Sequence, residues 1–120
     1  MATFSKIALS GSTDGKMVKV VATTTAGTTI HTGSSTATTF DEVWLYAVNS
    51  SASGVKLTIE WGSTASPDDL IEQTIPAESG LYLISPGLVL KGNATPLVVR
   101  AFAATTNVIN IAGYVNRITA

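Results

Sequence analysis

Between Gly54 and Gly62 the side chains alternate with a period of two. Val55, Leu57, Ile59 and Trp61 fall on one side of the chain, and Lys56, Thr58 and Glu60 fall on the other. This is the pattern of a half-buried strand; a helical face would repeat every ~3.6 residues instead. The rest of the chain favours the same kind of element. It carries 18 Thr, 12 Ser and 10 Gly, while Glu, Lys, Gln, Arg and Met are scarce. Thr and Val are stiff at the first side-chain torsion and suit a pleated surface.

Apolar runs recur along the whole length. Residues 4–10 and 16–23 are joined by Gly-Ser-Thr-Asp-Gly, in which Asp14-Gly15 supplies a tight turn, so residues 1–39 begin as an arm or hairpin. Residues 43–48 are apolar on both faces, with Trp44 and Tyr46 opposite Val43, Leu45 and Ala47. A central strand covered on both sides reads that way, and so does one whose outer face meets another chain. Residues 70–75 stop at Pro76. Residues 81–84 and 88–90 flank Ser85-Pro86-Gly87, whose proline breaks or bends the pairing. Residues 97–103 and 108–118 close the chain, and in the last run Asn110, Ala112, Tyr114 and Asn116 share a face.

Eight or nine strands, with turn signals at intervals of about 8 to 12 residues, predict an all-β chain. The expected architecture is an antiparallel β-sandwich, jelly-roll-like, forming a single domain over residues 1–120 with its sandwich core in 40–118. The one helix start, Ser66-Pro67-Asp68-Asp69-Leu70, supports one turn at most. Residues 23–39 are almost wholly Thr, Ser, Ala and Gly around Ile30 and His31. They read either as a long surface connection with a short edge strand near 28–32, or as an arm that orders against a neighbouring subunit.

Charged residues make up 12% of the chain and the formal charge is −1, which leaves no electrostatic footprint for nucleic acid. No apolar run approaches the roughly 18 residues of a membrane-spanning helix. The start, Met-Ala-Thr-Phe-Ser-Lys, lacks a charged leader followed by an apolar stretch, so no signal peptide is expected. Cysteine is absent and His31 is the single histidine, expected in an exposed loop. A His-based triad or a His-cluster zinc site would need carboxylates to supply the rest.

The carboxylates do not pattern as a catalytic pair. Asp41 and Glu42 are adjacent on a strand and face opposite ways, whereas a glycosidase pair spans a cleft about 5 to 9 Å wide. Asp68, Asp69 and Glu72 lack the spacing of a calcium loop and read as solvated turn acids. Residues 11–17 fall one residue short of a phosphate loop, and Ser53-Gly54-Val55-Lys56 enters a strand rather than opening a helix. Asn49-Ser50-Ser51 and Asn93-Ala94-Thr95 fit the glycosylation pattern, which matters only in a secretory pathway. No enzyme activity and no cofactor is expected. Among the aromatics, Trp61 is expected in the core, Tyr82 and Tyr114 half-exposed, and Trp44 and Tyr46 either inside or in a subunit contact. Exposed Trp or Tyr on a β-sandwich can stack on sugars, which makes a glycan- or receptor-binding module the rival reading. No strand, however, carries three aromatics at period-two spacing.

The order of segments carries a resemblance. Phe40-Asp41-Glu42-Val43-Trp44-Leu45-Tyr46-Ala47-Val48-Asn49 is followed by Val55-Lys56-Leu57-Thr58-Ile59-Glu60-Trp61-Gly62, then by Thr74-Ile75-Pro76-Ala77 and a Gly80-Leu81 turn. Leu97-Val98-Val99-Arg100-Ala101-Phe102-Ala103 and Val108-Ile109-Asn110-Ile111-Ala112-Gly113-Tyr114-Val115 complete the set. Over residues 40–118 this resembles the small β-sandwich virion proteins of tailed bacteriophages. The resemblance implies a head decoration (cement) protein made in the host cytoplasm and carried on the virion, bound to the major capsid protein and commonly a homotrimer. A tail, fibre or head–tail accessory part is the alternative. Nucleic acid and membrane are not expected partners. The expected contacts are the N-terminal residues Ala2, Thr3, Phe4, Ser5 and Lys6, the Thr-rich stretch at Ile30 and His31, and the aromatics Trp44 and Tyr46.

Overall fold

The computed structural model describes residues 2–119, with Met1 and Ala120 outside the described residues. Among the described residues nine strands form two antiparallel sheets: β1 (Thr3–Ala8), β2 (Val18–Lys19), β3 (Thr28–Thr32), β4 (Thr39–Asn49), β5 (Val55–Trp61), β6 (Leu70–Ile75), β7 (Tyr82–Lys91), β8 (Val98–Ala103) and β9 (Ile109–Thr119). One sheet runs β1-β9-β4-β7, with β2 also on β9; the other runs β3-β8-β5-β6. The pairs β2–β9, β3–β8, β4–β7 and β5–β6 are nested one inside the next. A long antiparallel ribbon rolled once around itself gives that nesting, so the sandwich is a jelly roll.

The core lies between the sheets and is built from alternate residues of each strand. Val43, Leu45 and Ala47 of β4 and Ile109, Ile111 and Val115 of β9 face Leu57 and Ile59 of β5 and Val99 and Ala101 of β8. Branched aliphatic side chains fill both inner faces, as a pleated surface favours. Trp61 sits at the margin, half-buried and packed against this core rather than inside it.

Two expectations change. Residues 4–10 and 16–23 do not pair as a hairpin; β1 and β2 lie end to end along the same edge of β9, at residues 114–119 and 110–111. The eleven-residue β9 offers a longer ladder than the short turn could, and Leu9, Val18 and Val20 are buried beside it. The intervening loop is tied back by Gly11 N–H donating to the Ile30 carbonyl at 2.9 Å. The second change concerns β5, whose polar side was expected to meet water. Thr58 and Glu60 are buried. The Glu60 carboxylate accepts from the Thr25 hydroxyl at 2.5 Å and from Gly27 N–H at 2.7 Å, so part of the Thr-rich stretch folds down over it. Gly27 permits that approach, because a Cβ there would stand 2.5 Å from the Ala101 backbone. The edge strand expected near 28–32 is β3.

Pro86 bends the pairing without ending it. Strand β7 is an edge strand and its register against β4 shifts twice, leaving Ile84 and Gly87 without direct partners. Edge strands tolerate a missing N–H, and bulges there discourage pairing with another sheet. Among the described residues no helix is long and apolar enough to cross a membrane.

Candidate assembly face

The outer side of the five-stranded sheet collects four of the nine expected contact residues, Phe4, Lys6, Trp44 and Tyr46; Thr3 and Ser5 alternate to the other side of β1, and Ala2 precedes the strand. Because register partners in an antiparallel ladder point the same way, rows of side chains cross this face. One row is Phe4, Ile118, Phe40 and Lys91; the next is Lys6, Asn116, Glu42 and Val89. Ala8, Tyr114, Trp44 and Pro86 follow, and then Ala112, Tyr46 and Leu83. Phe4 is 71% exposed, Val89 52%, Leu83 48% and Phe40 37%. The face is therefore apolar and open to solvent, which singly scattered hydrophobic residues would not produce. A last row is Lys19, Asn110 and Val48, and the charges on the face are Lys6, Lys19, Glu42 and Lys91.

An aromatic group organises the centre. Trp44 stacks on Tyr114 with ring centroids 6.0 Å apart and planes 10° from parallel, and the Lys6 ammonium lies 4.9 Å from the Tyr114 ring centre. Stacked aromatics and a cation over a ring each add a modest stabilisation to the area they cover. The Trp44 ring rests against Gly87, whose φ of 85° and lack of a side chain leave space for the indole. A Cβ at Gly87 would come within 3.1 Å of the ring. The indole N–H is buried with no hydrogen-bond partner among the described residues, so shape and not hydrogen bonding holds Trp44 in place. Trp44 and Tyr46 thus belong to the outer face and not to the core.

Ile30 and His31 lie elsewhere. Both are fully buried, so neither offers surface to a partner, and His31 is no exposed loop residue. Its Nδ1 accepts from the Ser10 backbone N–H at 3.1 Å, which places the ring proton on Nε2, donated to Asp41 Oδ2 at 2.8 Å. Arg117 completes the group with two bonds to the same carboxylate, Nε to Oδ1 at 2.7 Å and Nη2 to Oδ2 at 2.8 Å. Burial lowers the His31 pKa below its ordinary 6.5, and the Asp41 contacts that would raise it do not offset this. Burial pushes the Asp41 carboxyl up, but the bonds from Arg117 and His31 outweigh it and hold it below the ordinary 3.8.

Serine, histidine and aspartate within one small cluster invite comparison with a nucleophilic triad. The contacts are those of a structural tie instead. His31 takes its bond from the Ser10 backbone, while the Ser10 hydroxyl accepts from Thr32 N–H at 2.6 Å. No serine oxygen meets an imidazole nitrogen, which that chemistry requires. The group joins β3 of one sheet to β4 and β9 of the other.

The remaining polar residues are dispersed. Glu72 pairs with Lys56, and Asp69 accepts from the Ser63 hydroxyl at 2.6 Å, so the three acids near residue 70 do not converge. Among the described residues no cluster of three or more His, Asp or Glu side chains could hold a metal ion. Asn49, in the first glycosylation pattern, is buried and its amide donates to the Ser53 and Ile75 carbonyls. A shallow groove of about 410 Å³ opens on the outer side of the other sheet, lined by Thr23, Lys56, Thr58, Ser66, Leu70, Glu72, Phe102 and Ala104. Comparison with protein-family models, with characterised proteins and with solved structures returns no match.

Of the residues expected at contacts, Phe4, Lys6, Trp44 and Tyr46 share this outer face with Phe40, Tyr114 and Ile118, which were not among them. Period-two spacing within the last strand already put Asn110, Ala112, Tyr114 and Asn116 on one side. What it lacked was the pairing that sets β9 between β1 and β4.

Proposed function

We propose that this chain is a non-enzymatic structural protein of a tailed-phage particle, a decoration protein that binds the lattice of the major capsid protein and stabilises the head. The observation that carries the reading is the apolar outer face of the five-stranded sheet. It is built on paired strands, centred on stacked aromatics and mostly apolar between a few charged side chains, as a surface meant to be covered by protein would be. The resemblance of residues 40–118 to small virion proteins supplies the setting. In a lattice, many modest contacts act together, so each copy needs only limited buried surface.

The direct test is to mix the purified protein with undecorated heads and sediment them. Saturating co-sedimentation at a fixed ratio, with heads that resist heat better than bare ones, is the expected result. Absence of binding would refute the reading. A glycan-binding role is favoured only by the groove beside Phe102, whose ring and surrounding hydroxyls form a small amphipathic surface. Binding on a glycan array, abolished by Phe102→Ala, would support that role instead.

A further inference from the structure

We propose that the outer face of the five-stranded sheet is covered by a second copy of this chain, stacked face to face about a two-fold axis parallel to β9. The proposal rests on the reading of this face as an assembly surface and gives it to a second copy of the chain, which leaves attachment to the capsid lattice to the remaining surface of the pair. Strand β9 lies between β1 and β4, and the two flanking strands meet it in matching register. Phe4 and Phe40 both pair with Ile118, Lys6 and Glu42 both pair with Asn116, and Ala8 and Trp44 both pair with Tyr114.

A two-fold rotation about β9 exchanges the places of β1 and β4. It sets Phe4 against Phe40 of the other copy, Lys6 against its Glu42, and Ala8 against its Trp44, while Ile118 and Asn116 meet their own counterparts. Three of the meetings are complementary, ring on ring, cation on anion and small side chain on large, whereas the remaining row sets Lys19 against the apolar Val48. Within one chain, neither Lys6 nor Glu42 takes part in an ion pair among the described residues. The pairing is isologous, so each cross-contact occurs twice.

The area lies at the lower end of the specific range. Rotation about β9 overlaps three strand positions, those of β1 with β2, of β9 and of β4, and strands about 4.8 Å apart with about 3.4 Å per residue along β4 outline roughly 540 Å² on each copy. The two copies together come to about 1,080 Å², just past the roughly 1,000 Å² a specific interface must clear and short of the usual 800 Å² or so from each partner. The outer side of the other sheet has no such symmetry; it carries the Lys56–Glu72 ion pair, Arg100 and the loop folded over Glu60.

Sedimentation equilibrium of the full chain, with charge reversal, tests the pairing. The expected result is a dimer that Lys6→Glu alone and Glu42→Lys alone each weaken by about tenfold or more, and that the double variant restores. Both side chains are outside the core, and circular dichroism would verify that each variant folds. A second variant needs no charge argument. Asn116→Cys in this cysteine-free chain lies on the axis and should be joined to its counterpart by a short bis-maleimide, whereas Thr106→Cys, in a distant loop, should not. A monomer, a trimer indifferent to the reversals, or single reversals that the double variant fails to rescue would overturn the pairing, even if heads are still bound. A dimer that follows the charge pattern but ignores undecorated heads would uphold the pairing and refute the decoration role.

Discussion

At the scale of single residues, the buried His31–Asp41–Arg117 group makes stability depend on pH in a defined direction. Folded His31 resists protonation more than an unfolded histidine does, so the unfolded state takes up protons first as pH falls below the ordinary value of 6.5. Asp41, held below 3.8, adds a second loss as pH falls through its lowered folded value. The urea midpoint of the wild type is therefore expected to drop between about pH 7.5 and about pH 5. His31→Gln can still donate to Asp41 and accept from Ser10, and it does not titrate. The decline over that range should be absent in the variant; an undiminished decline would place its origin elsewhere. Asp41→Ala strands the buried imidazole donor and leaves the partly exposed Arg117 unpaired, and is expected to cost about 1–3 kcal/mol by denaturant unfolding. None of this was legible locally. His31 sits among Thr, Ser and Gly, and only the fold brings Asp41 and Arg117 to it.

Among the strands, the period-two alternation of β5 located the inner face correctly through Val55, Leu57 and Ile59. Its other side was misread, because alternation reports which way a side chain points and not what lies beyond it. Glu60 is covered by residues 25–27, a segment whose composition resembled open loop. Glu60→Ala removes two acceptors from that cover and is expected to cost about 1–3 kcal/mol, with faster amide exchange at Gly27 as the specific sign. A loss of stability without that local change would contradict the role given to Glu60. Strand β4 separates core from surface most sharply. Leu45→Ala should cost about 2–5 kcal/mol as an inner-face truncation. Trp44→Ala, half-buried on the outer face, should cost less than the roughly 3–5 kcal/mol of a core tryptophan while weakening self-association. If the costs came in the reverse order, Trp44 would be a core residue after all.

For the molecule as a whole, strand count and spacing indicated the all-β sandwich, because turn residues punctuate the chain regularly and no segment has a helical period. The jelly-roll nesting agrees with that outline, yet the alternation could not dictate which strands become neighbours. Pairing β9 with both β1 and β4 is a long-range choice, and it creates the face from residues near 4, 40 and 118. The role of that face in assembly is the central claim, and covalent footprinting tests it most directly. Hydroxyl-radical labelling of Phe4, Phe40, Trp44 and Tyr114 should fall when the chain assembles, while labelling of Phe102 on the other sheet stays as it is in dilute monomer. Unchanged labelling of the four aromatics in the assembled state, with Phe102 protected instead, would contradict it.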